Sequence, residues 1–323
     1  MSHTHENRDD KVSLVEMGPR DGLQNETATL SLAQRLALIA RLAESGLQRI
    51  EVGAFVSPKK VPQMADSAAL FNAMPRRGPT RYGALVPNLQ GLQAAIAARA
   101  DEIGLFTACS DGFTRANIGI SVEESLVRFA PLVQEARSLG IKVRGYLSTV
   151  IACPFDGPTR PKRVAALAER LLDLGCHEIS LGDTIGVGTP GTVAPMLDAV
   201  LHEIPAGRLA VHFHDTYGQG LANLLPALER GIRTIDCSVA GLGGCPYAPG
   251  ASGNVASEEV VYLLHGLGMS TGVDLDQLAA TGQWVSELLG RPNGSRVGQA
   301  LHGRGRRLAQ EREQRTPGGH HAS

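Results

Sequence analysis

The sequence predicts an α/β protein built as a closed (β/α)8 barrel, with extra helices at its C-terminal end. Apolar strand patterns alternate with helical patterns along the chain, which is typical of parallel βαβ units. Eight such strands precede residue 270, and eight strands close a barrel of this kind. The chain has 323 residues, which is enough for one such domain, because these barrels take about 250 residues.

The predicted strands are short and are separated by stretches with helical spacing. They cover residues 12–17, 49–53, 81–86, 102–106, 142–149, 178–182, 209–214 and 234–239. Helical spacing is clearest in residues 31–45, 121–138, 163–174, 192–202 and 221–231. Ser121 and Glu124 form a capping box at the start of one of these helices. An open doubly wound sheet is the alternative, but no G-x-G-x-x-G motif follows the first strand.

The ends of the chain differ from its middle. We expect one catalytic domain over residues 11–310, in which residues 270–310 form one or two helices beyond the barrel. The polar ends, residues 1–10 and 311–323, predict disordered tails.

The composition argues against several classes of protein. The formal net charge is −1, which gives no reason to expect a nucleic acid or an anionic membrane as a partner. No apolar run approaches the ~20 residues of a membrane helix, and the acidic N-terminus resembles neither a signal nor a transit peptide. The cysteines form no C-x-x-C pair, which predicts free thiols in a reducing compartment. We therefore expect a cytoplasmic protein, and we also expect a homo-oligomer.

Polar residues collect at the C-terminal ends of the predicted strands. Barrels of this kind carry their active sites at that end. The residues are Arg20, Asp21, Glu51, Asp183, His212, His214, Cys245 and Asn254. The last two lie in the glycine-rich segment after the eighth strand.

The pair His212 and His214 is the most informative of these. Side chains at i and i+2 of a strand point to the same face, where two neutral imidazoles can share a divalent metal. Asp21 adds an anionic oxygen and Asn254 a carbonyl oxygen, a mixed set that favours Mn²⁺ or Mg²⁺, with Zn²⁺ as an alternative. The competing interpretation is a structural histidine pair, which the nearby carboxylate makes the weaker one.

Three further residues have both a catalytic and a structural interpretation. Arg20 either pairs with Glu51 or stabilises a developing oxyanion, and we expect both, with Glu51 orienting it. Asp183 either acts as a base or caps the next helix. Cys245 lies among glycines that let a backbone approach a ligand, and its thiol can carry a proton to or from a carbanion. The other four cysteines are predicted to be structural.

Five stretches resemble the 3-hydroxy-3-methylglutaryl-coenzyme A lyases of the metal-dependent lyase TIM-barrel family. They are VEMGPRDGLQNE (15–26), FVSPK (55–59), EISLGDTIGVGTPG (178–191), VHFHDTYG (211–218) and SVAGLGGCPYAPGASGN (238–254). The last is close to the family's signature around its active-site cysteine. The resemblance implies cleavage of the acyl-coenzyme A substrate to acetoacetate and acetyl-coenzyme A, with Mg²⁺ or Mn²⁺ as the cofactor.

The resemblance also implies residue roles. The implied metal ligands are Asp21, His212, His214 and Asn254. The implied catalytic residues are Arg20, Asp183, His212 and Cys245, with Glu51 in support. The implied substrate-binding residues are Arg20, Gln24, Tyr146 and Thr184. In this scheme His212 or Asp183 is the base, Arg20 stabilises the thioester oxyanion and Cys245 protonates the carbon. Candidates for the nucleotide end of coenzyme A are Lys59, Lys60 and Arg115.

The chain departs from the family next to the predicted substrate. Gly53 and Ala54 precede Phe55 where many members have a hydroxyl residue, and Lys60 replaces a tryptophan. A longer 3-substituted 3-hydroxyglutaryl thioester is therefore an alternative substrate.

Three other functions compete with a lyase. An isopropylmalate- or homocitrate-type synthase shares the Arg-Asp and H-x-H motifs but usually carries a regulatory domain, and it lacks the cysteine segment. A biotin-dependent carboxyltransferase needs a carbamylated lysine, for which no candidate stands out. A barrel that only binds a metal or a thioester would gain nothing from so costly a set of charges at its strand ends.

Overall fold

The computed structural model describes residues 10–76, 78–244 and 253–315. Its strands are β1 Ser13–Glu16, β2 Arg49–Ala54, β3 Arg81–Leu85, β4 Glu102–Ala108, β5 Lys142–Ser148, β6 Ala152–Cys153, β7 Gly157–Pro158, β8 Glu178–Asp183, β9 Leu209–Phe213 and β10 Thr234–Cys237. Eight of them close a barrel in the order β1-β10-β9-β8-β5-β4-β3-β2. All pairs in the barrel are parallel. The predicted (β/α)8 fold is confirmed.

Helices follow the strands around the outside of the barrel. They are α1 Leu32–Glu44, α2 Ser67–Ala73, α3 Leu89–Ala97, α4 Asp111–Ile118, α5 Val122–Ser138, α6 Pro161–Leu174, α7 Pro190–Leu201, α8 Gly220–Glu229, α9 Ser257–Gly266, α10 Leu275–Leu289 and α11 Arg296–Arg315. The last two are the predicted extra helices. Because α11 ends at Arg315, the predicted boundary at residue 310 falls inside a helix. The rest of the predicted tails, residues 1–9 and 316–323, lies outside the described residues.

Local signals in the sequence explain where several elements begin and end. The predicted capping box of α5 is present, since Glu124 N donates to Ser121 Oγ at 3.2 Å and Ser121 N donates to Glu124 Oε2 at 2.7 Å. Helix α6 begins with Pro161 and ends before Gly175, whose φ is +112°. The hairpin of β6 and β7 was not predicted, because its strands have two residues each.

The strands separate an apolar outer layer from a polar interior. In β8, Ile179 and Leu181 belong to the hydrophobic core under the helices, whereas Ser180 points inward and donates to Asp236 Oδ2 at 2.7 Å. Arg49, Glu102 and Glu178 are the first residues of their strands, so their charges lie at the N-terminal end of the barrel. The opposite end is where the predicted site residues meet.

Two negative predictions concern thiols and membranes. Cys109, Cys153, Cys176 and Cys237 are all buried and free, as expected for structural cysteines. Among the described helices, none is both long enough and apolar enough to cross a membrane.

Candidate active site

A tight turn after β1 places Arg20 and Asp21 at the C-terminal end of the barrel. Residues Gly18–Gly22 form a π-helical turn with a proline in its first positions. Glycine is needed at both ends of it. A Cβ on Gly18 would lie 2.7 Å from Glu16 Oε1, and one on Gly22 would lie 2.8 Å from Leu242 Cβ. The turn therefore packs directly against the segment that follows β10.

Asp21, His212 and His214 form one cluster at this end of the barrel. A ligand atom from each lies within 4.8 Å of those of the other two. His212 lies in β9 and His214 directly follows it, and their side chains share a face as predicted, with their Nε2 atoms 3.2 Å apart. His214 is buried, and its Nδ1 has no hydrogen-bond partner within the described residues.

The electrostatics of this cluster suit a cation. Burial and the neighbouring His212 lower the pKa of His214 to about 4, so its ring is neutral near pH 7 and can act as a ligand. Burial acts to raise the pKa of Asp21, but Arg20 and the imidazoles outweigh it and hold that pKa below its usual value. Two facing Nε2 atoms cannot both carry a proton, so the cluster offers lone pairs and an anionic oxygen to a metal ion.

Asn254 joins the cluster from the segment after β10. Its backbone forms an antiparallel bridge with His214, and its Nδ2 donates to Asp21 Oδ2 at 2.8 Å and to Leu242 O at 3.2 Å. The structure thus turns the amide NH2 group toward Asp21, where the predicted ligand role needs the carbonyl oxygen. Asp21 Oδ2 and Leu242 O are both acceptors. The amide would therefore rotate to present its own oxygen to Asp21 only if a cation lay between the two oxygens.

Arg20 is fixed by two carboxylates. Its Nε donates to Glu51 Oε2, and its Nη1 donates to Asp21 Oδ1 at 2.7 Å. Burial acts to lower the pKa of Arg20, but Glu51 and Asp21 raise it above its usual value, so the guanidinium stays charged. Arg20 and Glu51 are thus paired, and Nη2 makes no hydrogen bond within the part of the chain that is described.

The three other predicted substrate residues lie in different surroundings. Gln24 Nε2 donates to Asp21 Oδ1 at 3.1 Å, so Gln24 borders the cluster. Tyr146 is buried and donates its hydroxyl to Glu51 Oε1 at 2.9 Å, which makes it a support for the partner of Arg20. Thr184 Oγ1 accepts from Thr149 N at 2.9 Å and is half-buried.

Asp183 is not brought into the cluster. Asp183 lies two residues after Leu181, which points outward from the barrel, so its side chain points outward as well. Its Oδ2 accepts from Gly188 N at 2.7 Å. It does not cap α7 either, since the N-cap residue is Thr189. Its Oδ1 is buried without a hydrogen-bond partner within the described residues. Burial raises the pKa of Asp183 to about 6.

A family model described as HMGL-like matches residues 11–285. The chain belongs to the HMGL-like family. It is 53% identical over 296 residues to the hydroxymethylglutaryl-CoA lyase of Pseudomonas mevalonii, with 92% of this chain and 98% of that protein covered. It is 52% identical over 291 residues to the 3-hydroxy-3-isohexenylglutaryl-CoA/hydroxy-methylglutaryl-CoA lyase of Pseudomonas aeruginosa, with 90% and 97% covered. It is 53% identical over 293 residues to the mitochondrial hydroxymethylglutaryl-CoA lyase of Arabidopsis thaliana, and spans 63% of that protein's length.

Solved structures of HMGL-like proteins have the same fold. A crystal structure of hydroxymethylglutaryl-CoA lyase from Pseudomonas aeruginosa gives a TM-score of 0.89 at 52% identity, covering 91% of this chain and 98% of that one. A structure of an HMG-CoA lyase from Acinetobacter baumannii, in complex with coenzyme A and 3-methylmalate, gives 0.87 at 36% identity, covering 91% and 96%.

Four predicted residues of this HMGL-like chain are not placed at the cluster. Cys245 lies outside the described residues. The nearest described position is Gly244, whose carbonyl oxygen accepts from Asn25 Nδ2 at 3.2 Å. Lys59, Lys60 and Arg115 are exposed side chains.

The sequence did not single out Asp236. This carboxylate lies inside the HMGL-like barrel, where Oδ2 is 3.2 Å from His212 Nδ1 and both oxygens accept from Arg144. The signal was present, because a lone aspartate in an apolar strand must be matched if it points inward. Its inward direction follows from the pairing of Ile235 with Val211, which sets Asp236 beside His212.

Proposed function

We propose that the protein is a divalent-metal-dependent carbon–carbon lyase that cleaves 3-hydroxy-3-methylglutaryl-coenzyme A to acetoacetate and acetyl-coenzyme A. The observation that carries the proposal is the cluster of Asp21, His212 and His214 beside the fixed guanidinium of Arg20. The same reaction class is named for Pseudomonas relatives that match this chain over nearly their full length. A metal ligand set and a fixed cation at one barrel end are what a retro-Claisen cleavage requires.

We assign Asp21, His212 and His214 as ligands of Mg²⁺ or Mn²⁺, and Asn254 as the fourth ligand. A divalent ion held there supplies a Lewis acid that lowers the pKa of the substrate's tertiary hydroxyl. Aspartate and amide oxygens support a hard ion such as Mg²⁺ or Mn²⁺. The neutral state of His214, which follows from its lowered pKa, is the state that a metal ligand needs.

The remaining residues act on the thioester and on protons. Arg20 holds its charge beside the carbonyl that becomes the enolate oxygen, because Glu51 and Asp21 fix two of its nitrogens. Cys245 delivers a proton to the acetyl-coenzyme A carbon. The hydroxyl proton goes to His212 or Asp183. The pKa of about 6 favours Asp183 as a base near neutral pH. The Asp183 side chain points away from the cluster, and that orientation favours His212.

The first experiment tests for cleavage. The purified protein is incubated with the thioester, a thiol reductant and Mg²⁺ or Mn²⁺, and acetoacetate is measured. We expect cleavage that stops after chelation and returns when either ion is added. His214→Gln should weaken Mn²⁺ binding more than tenfold, whereas His202→Gln, at a side chain that is 83% exposed, should leave it unchanged. Absence of cleavage with every ion tried would contradict the proposal.

A second arm compares substrates. The name of the Pseudomonas aeruginosa relative covers both an isohexenyl and a methyl substrate. We expect kcat/KM to be higher for the methyl compound, and a higher value for the isohexenyl compound would reassign the substrate. A synthase finds no support among these relatives, which are named as lyases.

We further propose a reducing, cytoplasmic setting and a homo-oligomer. Four buried, unpaired thiols support the first, because disulfides are rare in reducing compartments. Sedimentation of the full chain tests the second, and a monomer at micromolar concentration would contradict it.

A further inference from the structure

The carboxylate of Asp236 sits behind His212, on the side away from His214. Its side chain is 0% exposed. Oδ1 accepts from Arg144 Nη2 at 2.6 Å, while Oδ2 accepts from Arg144 Nη1 at 2.9 Å and from Ser180 Oγ at 2.7 Å. His212 Nδ1 is 3.2 Å from the same Oδ2.

This arrangement leaves only one role for the Nδ1 atom of His212. A carboxylate bound by both terminal nitrogens of a guanidinium is ionised, and an ionised carboxylate can only accept hydrogen bonds. His212 Nδ1 must therefore be the donor. A neutral imidazole carries one N–H, so its Nε2 then carries the lone pair. That Nε2 is the atom that faces His214 Nε2 at 3.2 Å.

We propose that Asp236 is a positioning residue that holds His212 in the tautomer protonated at Nδ1 and thereby presents Nε2 as a ligand in the Asp21–His212–His214 cluster. The inference rests on the proposed function for the metal, but the tautomer does not depend on it. With Nδ1 bound to Asp236 and Nε2 committed to the cation, His212 has no free site for a proton. Of the two bases proposed above, Asp183 is then the one left to take the hydroxyl proton.

Arg144 extends this arrangement to the other half of the site. Its Nη1 also donates to the Tyr146 hydroxyl at 3.3 Å, and Tyr146 donates to Glu51, the residue that fixes Arg20. Its Nε donates to Glu178 Oε2 at 2.6 Å. The ring of His212 and the guanidinium of Arg20 are thus oriented from one buried arginine, which makes rotation of Asp236 away from His212 costly.

The tautomer can be measured in the unaltered protein. Full-length protein is labelled with ¹⁵N-histidine and freed of metal, and long-range ¹H–¹⁵N correlation spectra are recorded at pH 7.5. The His212 signals are assigned by their loss in His212→Gln. We expect an Nδ1–H ring with an unprotonated Nε2. A ring that carries its proton on Nε2 and not on Nδ1 would overturn the inference without bearing on lyase activity.

The ligand role is tested with a matched pair of variants. Asp236→Asn can donate its amide to Nδ1 and so favour the wrong tautomer, and we expect Mn²⁺ affinity, measured by EPR of the free ion, to fall about 10–100-fold. Ser180→Ala removes one hydrogen bond to the same oxygen but keeps the carboxylate and its two bonds to Arg144, so its Mn²⁺ affinity should fall by less than about fivefold.

The outcomes separate the inference from the proposed function. A folded Asp236→Asn protein with the parent's Mn²⁺ affinity overturns the positioning role. If Asp236→Asn does not fold, the tautomer in the parent protein decides. If the parent itself binds no Mn²⁺, the proposed metal site and the ligand half of this inference both fail, and the spectra still decide the hydrogen bond to Asp236.

Discussion

The barrel interior holds two groups of charged residues that differ in how completely their polar atoms are matched. The first, here called the floor network, consists of Arg49, Glu102, Arg144 and Glu178. Arg49 binds Glu178 at 2.9 Å and Glu102 at 3.1 Å, and Arg144 binds Glu178 at 2.6 Å. The second is the cluster of Asp21, His212 and His214 with Arg20.

The cluster leaves several polar atoms without partners within the described residues. His214 Nδ1 is buried without a partner there, and the Nε2 atoms of His212 and His214 have only each other as hydrogen-bond partners, at 3.2 Å. Buried polar groups are normally matched, as those of the floor network are, so the facing imidazoles of the cluster indicate capacity kept for a ligand. The floor network, in contrast, has the pattern of charges that determine structure. Each of the following changes tests that distinction.

The largest expected effect is that of Arg20→Met on turnover. Removing the fixed cation from the developing oxyanion should lower kcat about a thousandfold. Asp21 and the histidines remain, so Mn²⁺ affinity should stay within a few-fold of the parent's. The acetoacetate formed at saturating substrate measures kcat, and EPR of free Mn²⁺ measures the Mn²⁺ affinity. Near-normal turnover would remove Arg20 from the mechanism.

The control for that variant is Arg170→Met. Arg170 pairs with Glu123 on the surface, at 46% and 66% side-chain exposure, far from either group of charges in the interior. We expect its kcat to equal the parent's. A matching loss of turnover in both variants would indicate a general effect of losing an arginine.

The sequence was sufficient for the fold and for the grouping of Asp21, His212 and His214, for identifiable physical reasons. Strand and helix periods gave the eight βα units, and the i, i+2 rule placed His212 and His214 on one face. The pairing of Arg20 with Glu51 was expected because Arg20 follows the first strand and Glu51 lies in the second. Such rules depend only on spacing along one segment.

The rest depends on contacts between distant segments. Arg144 and Asp236 meet across 92 positions of sequence, and their hydrogen bonds depend on strand register. The prediction for Asp183 considered only that it follows a strand, whereas its parity with Leu181 turns it away from the cluster. The amide orientation of Asn254 depends on which acceptors surround it, and that is a property of the folded chain alone.

A smaller effect is expected from Glu178→Gln in the floor network. This change leaves two buried arginines with less negative charge, and breaking such a pair should lower the free energy of unfolding by about 3 kcal/mol. Asp236 keeps both bonds to Arg144, so kcat of the folded variant should change less than tenfold. Urea unfolding followed by circular dichroism measures the stability. A large loss of kcat with unchanged stability would reverse the roles assigned to the two groups.

The matched control is Glu123→Gln. Glu123 also binds an arginine through two hydrogen bonds, at 2.7 and 2.8 Å, but in solvent. Exposed pairs of this kind contribute little to stability, so the unfolding midpoint should not change measurably. If both variants lowered the free energy of unfolding equally, burial would not determine how much the floor network contributes to stability.

The smallest effect concerns Glu258, a buried carboxyl outside both groups. It accepts the Ala240 N–H at 3.0 Å below the turn after β10, and burial raises its pKa to about 8. The unfolded chain ionises near pH 4.5, whereas the folded chain keeps the proton until about pH 8. The folded state therefore binds the extra proton between these values, and this contribution to stability, complete below pH 4.5, is lost as the pH rises through 8.

Glu258→Gln should remove this pH dependence, because the amide stays neutral. Between pH 6 and pH 7 the parent should lose about 1 kcal/mol more stability than the variant, which urea unfolding at each pH measures. Asp276→Asn, at a side chain that is 81% exposed, should keep the parent's slope. A Glu258→Gln protein with the same slope as the parent would mean that this carboxyl is ionised in the folded state. It would then be a buried charge whose hydrogen bonds within the described residues come from the backbone, the N–H of Ala240 among them.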